Sequence, residues 1–234
     1  MRCMSYTKPY NAEHYAEPED EGPQWHVPWH ARVPAWLLTG PMIAAFILCL
    51  FNPPHNMIGW AVSGEALAQG RYYTLLTHMF AHGGIWHIVM NMSALLAISP
   101  PLIARMGRPP ASWGRYYALF FGSGLAGALT YLAINPWGSV PMLGASGAIY
   151  GLLGALLRLG PEGEGLVAIR SRKMADAAKT LVKENLFLIA LLTLPALLTG
   201  HGGGLAWEAH LGGFVFGLLA APFCFARDVR IEYI

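Results

Sequence analysis

The stretch GASGAIYGLLGALL, residues 144–157, decides the fold of this chain. It carries no charge, and Gly147 and Gly151 stand four residues apart, a spacing that lets membrane helices approach closely. The same spacing returns at Gly213 and Gly217 within AHLGGFVFG, residues 209–217. Such glycines most often serve ordinary helix packing. Here they predict that the two segments pack against each other and bring the polar residues at their beginnings together.

The composition of the whole chain indicates a membrane protein. Of its 234 residues, 55% are hydrophobic and only 12% are charged, against about 25% charged residues in soluble domains. A net charge of +2 gives no argument for a nucleic-acid partner. Three cysteines, two of them in apolar runs, indicate neither a disulfide framework nor a metal cluster.

Uncharged runs predict an all-α fold, a polytopic membrane bundle of six transmembrane helices. A crossing needs about 20 residues, so the uncharged run 116–157 is too long for one span, and the turn at 135–141 divides it into spans three and four. The charged segment 158–184 is expected to be a solvated loop with a surface helix. The other four predicted spans are residues 35–51, 85–104, 185–207 and 209–226.

The distribution of basic residues orients this bundle. With six spans, all fifteen lysines and arginines except Arg71 fall on one side of the membrane, and the positive-inside rule makes that side cytoplasmic. We therefore expect a cytoplasmic N-terminal tail at 1–33, a membrane domain at 34–227 and a cytoplasmic C-terminal tail at 228–234. The first tail is acidic and lacks an apolar signal segment.

Four polar residues in these apolar segments are candidates for chemistry. Ser146 begins the fourth span, where free backbone N–H groups and the helix dipole favour negative charge. Gly144 and Gly147 beside it permit a tight turn and close approach of a substrate backbone. A plain serine N-cap is the alternative for Ser146, as is a structural histidine for His210 at the start of the sixth span.

The other two candidates, His87 and Asn91, lie four residues apart and so share one helix face. Taken alone they could equally join helices by hydrogen bonds. Counted from the first arginine that follows each span at about 1.5 Å per residue, all four side chains lie roughly 18–27 Å up a hydrocarbon core of about 30 Å. A common depth near the outer surface favours a shared function.

Together these motifs resemble the rhomboid family of intramembrane serine proteases. GASG, AHLGGFVFG and HIVMN, residues 87–91, carry the resemblance, which covers roughly residues 34–227. It implies that Ser146 is the nucleophile and His210 the general base of a dyad, without cofactor or metal. It also implies that His87, Asn91 and the Ser146 backbone N–H form the oxyanion hole, and that Tyr150 stacks on His210.

The resemblance extends to two loops. Residues 72–82 resemble the first extracellular loop, lying partly in the membrane, in which His82 would form a hydrogen bond. The family often has Trp-Arg where this chain has Gly70 and Arg71. His201 with the following three glycines resembles the cap over the active site, which opens by movement of span five.

The resemblance implies single-pass transmembrane proteins as substrates and a multi-pass location, in a bacterium the inner membrane. An inactive rhomboid-like scaffold that binds client helices is the alternative, although such relatives lack the serine or the histidine. A transporter would be expected to show an inverted repeat, which the two halves lack. Glu208 lies two residues before His210 and so on another helix face, which disfavours it as the third member of a catalytic triad.

Overall fold

The computed structural model describes residues 27–52, 56–160, 165–199 and 205–225, with the backbone alone at 185 and 187–199. Over these residues the protein is helical and contains no strand, only two isolated backbone bridges. The long helices are α1 (Val33–Phe51), α4 (Ile85–Ala104), α5 (Ala111–Ile134), α6 (Ser146–Leu157), α7 (Arg172–Thr199) and α8 (Trp207–Cys224). Two short helices, α2 (Gly64–Ala68) and α3 (Thr74–Thr77), lie between α1 and α4.

Three of these helices, α1, α4 and α5, are long and apolar enough to cross a membrane, and α6 is a shorter apolar helix. The helices occur where the uncharged runs predict spans, and the loop between α5 and α6 contains the predicted turn. Two predictions differ from the structure. Trp207, predicted to end the fifth span, begins α8. The surface helix and the fifth span form a single helix, α7, because no glycine or proline interrupts the chain between Arg172 and Pro195.

The tightest packing in the bundle joins α8 to α6 and α5. A Cβ atom added at Gly213 or at Gly217 would overlap the carbonyl oxygen of Gly147 or of Gly151, respectively. The two backbones are thus in direct contact, which only glycine permits. This contact fixes the height of α8 relative to α6 and therefore which of their side chains meet.

The segment between α1 and α4 holds the beginning of α6 in place. Val62 and Met142 exchange backbone hydrogen bonds of 2.9 and 2.8 Å, and the Gly144 N–H donates to the carbonyl oxygen of His78 at 2.8 Å. The His78 ring is buried and lies 3.0 Å from the Thr74 carbonyl oxygen. Backbone hydrogen bonds therefore join the loop that precedes Ser146 to the segment between α1 and α4.

Candidate active site

Ser146 and His210 meet at the interface of α6 and α8. The His210 Nε2 atom lies 2.8 Å from the Ser146 Oγ atom, and the histidine is 3% exposed. Ser146 is the first residue of α6, whose N-cap is Ala145. The serine hydroxyl is therefore paired with an imidazole, and the alternative of a plain N-cap is wrong.

Tyr150 lies one turn after Ser146 on α6, and its ring stacks on the ring of His210. The ring centroids are 4.1 Å apart and the planes are inclined by 6°. A stacked neighbour restricts rotation of the imidazole, so that Nε2 stays directed at the serine.

His87 and Asn91 lie on the first two turns of α4. The Asn91 Nδ2 atom donates to the carbonyl oxygen of His87 at 2.8 Å, and Asn91 is buried at 6% exposure. The His87 Nδ1 atom lies 3.4 Å from the Gly83 N–H, which donates to it. With Nδ1 as the acceptor, the ring proton of His87 resides on Nε2.

Gly144 allows this Nε2 atom to approach the loop that precedes Ser146. Its φ angle is +120°, and a Cβ atom added there would lie 2.6 Å from the His87 Nε2 atom. Gly147 has a different task, because its added Cβ would lie 3.2 Å from the carbonyl oxygen of Ala209, the residue before His210. The missing side chain of Gly144 leaves room for His87, and that of Gly147 leaves room for the beginning of α8.

His82 lies in the segment between α1 and α4, where its buried ring interacts with the backbone of Phe80. Its own backbone N–H donates to the Met57 Sδ atom at 3.4 Å. The ring also packs edge-on against His87, with centroids 5.2 Å apart. Burial, with a smaller contribution from His87, lowers the pKa of His82 to about 4, so the ring is neutral near pH 7.

Glu208 has a partner other than His210. Its Oε1 atom accepts a 3.2 Å hydrogen bond from the Nδ2 atom of Asn135, which also donates to the Tyr131 carbonyl oxygen at 3.1 Å. Glu208 therefore ties the beginning of α8 to the end of α5. This contact agrees with the helix-face argument against a catalytic triad.

Sequence reasoning missed the part played by His78, whose carbonyl oxygen holds the Gly144 N–H. Its only signal was a histidine in an uncharged stretch, and nothing in the pattern links it to residues far along the chain. The proposed cap at residues 201–204, the N-terminal residues 1–26 and the C-terminal residues 226–234 lie outside the described residues.

Comparison with known proteins assigns the family. A model of the Rhomboid domain matches residues 69–227. The chain is 30% identical to the rhomboid protease GluP of Bacillus subtilis over 164 residues, which are 69% of this chain and 28% of that protein. It is 27% identical to the putative rhomboid protease YdcA of the same organism over 182 residues, covering 76% of this chain and 82% of that protein.

A plant relative is more similar over a shorter range: RHOMBOID-like protein 1 of Arabidopsis thaliana is 34% identical over 161 residues, 69% of this chain and 36% of that protein. The chain thus spans less than a third of GluP and most of YdcA. It belongs to the rhomboid family, and its apolar helices make it an integral membrane protein.

Proposed function

We propose that this protein is an intramembrane serine endopeptidase that hydrolyses peptide bonds in or beside transmembrane segments. The observation that carries the proposal is the 2.8 Å contact between the Ser146 Oγ and His210 Nε2 atoms. A hydroxyl becomes a useful nucleophile near neutral pH when a base lies within hydrogen-bonding distance. The family and the named protease relatives support the same chemistry.

In the proposed reaction, the Ser146 Oγ atom attacks the carbonyl carbon of the scissile bond while the His210 Nε2 atom accepts the hydroxyl proton. The tetrahedral intermediate then collapses, the C–N bond breaks, and His210 gives the proton to the leaving amine. A water molecule, deprotonated by His210, hydrolyses the resulting ester and restores the serine. Tyr150 keeps the imidazole in one orientation through both halves of the cycle.

The oxyanion of each tetrahedral intermediate needs fixed donors. We assign this role to three donors: the His87 Nε2–H, which lies next to Gly144, the second N–H of the Asn91 amide one turn further along α4, and the backbone N–H of Ser146, which no preceding carbonyl in its helix can accept. Removal of one such donor typically lowers kcat by about 10²–10³. We expect Asn91→Ala to lower kcat by this amount with little change in KM; a change in KM alone would make Asn91 a residue that only binds substrate.

A fluorophosphonate probe tests the nucleophile directly. The native protein should be labelled on Ser146, Ser146→Ala should remain unlabelled, and His210→Ala should react far more slowly. Ser93→Ala, which changes an exposed serine of α4, is the matched control and should be labelled like the native protein. Labelling of Ser146→Ala would refute the assignment, and a folded native protein that never reacts would favour the inactive scaffold.

We further propose that the chain crosses the membrane six times, with both termini in the cytoplasm and the dyad near the outer surface. Single-pass proteins are then the expected substrates, preferentially those with glycine or proline near the cut, because a stable helix protects its carbonyls. In a variant without native cysteines, Gly203→Cys should react with an impermeant thiol reagent on intact cells and Ser171→Cys should not. Labelling of Ser171→Cys alone would invert this topology.

A further inference from the structure

A groove lies between the beginning of α1 and the second half of α4, at the opposite end of α4 from His87. It has a volume of about 320 Å³, within the range of small-ligand cavities. Its walls are largely apolar, with a single cation at one end. The residues that the argument uses are Arg32, Trp36, Leu96, Ala97, Pro100 and Pro101.

Two of the residues that line the groove have backbone acceptors without their usual donors. Pro100 and Pro101 stand inside α4 and have no N–H group. The carbonyl oxygens of Leu96 and Ala97, four residues earlier, therefore lack the hydrogen bond that closes a turn of α-helix. An unsatisfied carbonyl is costly in hydrocarbon, so a ligand with hydrogen-bond donors is favoured here.

Arg32 supplies the positive end of the groove. It is exposed at the N-cap of α1, and no carboxylate within the part of the chain that the structure describes forms an ion pair with it. Trp36 lies one turn further along α1, at the beginning of a helix that is apolar enough to cross a membrane, and it is 57% exposed. A tryptophan at this depth is typical of the boundary between headgroups and acyl chains.

We propose that this groove binds phosphatidylglycerol. The lipid phosphate pairs with the Arg32 guanidinium, the glycerol hydroxyls donate to the carbonyl oxygens of Leu96 and Ala97, and one acyl chain lies along Trp36. Its net negative charge matches the single cation. Phosphatidylcholine has the same phosphate but no headgroup donor, and phosphatidylethanolamine has a donor but no net charge.

The test uses the full-length protein in detergent, mixed with each of the three lipids carrying identical acyl chains, with the retained lipid counted by native mass spectrometry. We expect retention in the order phosphatidylglycerol, phosphatidylethanolamine, phosphatidylcholine. Arg32→Gln should reduce retention of phosphatidylglycerol on the order of tenfold, as for loss of a charge-assisted hydrogen bond. Arg172→Gln, which removes an equal charge from the exposed beginning of α7, should retain the lipid.

A steric pair of variants checks the location. Ala97→Phe should fill the groove and lower retention, whereas Ser93→Phe, one turn away on the same exposed face and outside the lining, should not. Equal retention of phosphatidylcholine, equal effects of the two arginine variants, or equal effects of the two phenylalanine variants would overturn the proposal. Phosphatidylethanolamine retained as strongly as phosphatidylglycerol would overturn the requirement for an anionic lipid. Because no readout involves proteolysis, the outcome is independent of the proposed catalytic function.

Discussion

Gly144→Ala is expected to separate backbone strain from loss of the oxyanion hole. The new Cβ atom would lie 2.6 Å from the His87 Nε2 atom, whereas an ordinary contact begins at 3.4 Å, so the imidazole must retreat by about 0.8 Å. Functional groups generally need to be held within about 0.5 Å of their productive geometry. The substitution should therefore remove His87 as a donor and lower kcat by about 10²–10³.

The same substitution also strains the backbone, because φ at Gly144 is +120°. A residue with a side chain pays about 1–3 kcal/mol in such a conformation. Gly70→Ala is the matched control, since Gly70 has φ +77° and no atom within 4 Å of its added Cβ. Both variants should lose stability through backbone strain, Gly144→Ala the more because its methyl group also overlaps His87, and only Gly144→Ala should lose its catalytic rate.

The assay is cleavage of a model transmembrane substrate in proteoliposomes, with kcat and KM measured separately, beside thermal unfolding of each variant in detergent. We expect KM to be nearly unchanged in both variants. If folded Gly144→Ala keeps a kcat within about threefold of Gly70→Ala, then His87 does not stabilise the transition state through the Gly144 contact and the reasoning is refuted.

Three further substitutions test the packing around the site. Gly217→Ala should destabilise the protein by about 1–3 kcal/mol, because the new methyl group overlaps a carbonyl oxygen of α6. Gly40→Ala, whose added Cβ has no atom within 4 Å, should leave stability unchanged. Equal unfolding temperatures of the two variants would contradict the contact. Tyr150→Phe should keep the stacked ring and most activity, while Tyr150→Ala should lose about two- to tenfold in kcat, and similar rates in both would argue against stacking. Glu208→Ala should cost about 1–3 kcal/mol of stability, because it removes one of the two acceptors of the Asn135 amide and the hydrogen bond that joins α8 to the end of α5. Glu208→Gln, whose carbonyl can still accept, should cost less.

Much of the helical architecture could be predicted from the sequence, because hydropathy and glycine spacing are local properties. The end of α4 follows from the uncharged run 72–104, which Arg105 closes, and the glycines of α6 and α8 indicated their contact. The separation between the fifth span and the surface helix before it was predicted wrongly, because both belong to α7. Charge changes abruptly near residue 185, but a change in side-chain polarity does not by itself end a helix, because the backbone hydrogen bonds continue across it.

The candidate site divides in the same way. The sequence by itself identified Ser146, His210, His87 and Asn91, because polar groups stand out in apolar segments and helical spacing places them at one depth. Only the tertiary structure decided which atoms meet. The 2.8 Å contact of the dyad and the approach of His87 to Gly144 join residues that are distant along the chain. Such contacts depend on the relative heights and rotations of the packed helices. Differences of less than an ångström make or break them, and no local sequence pattern encodes these positions.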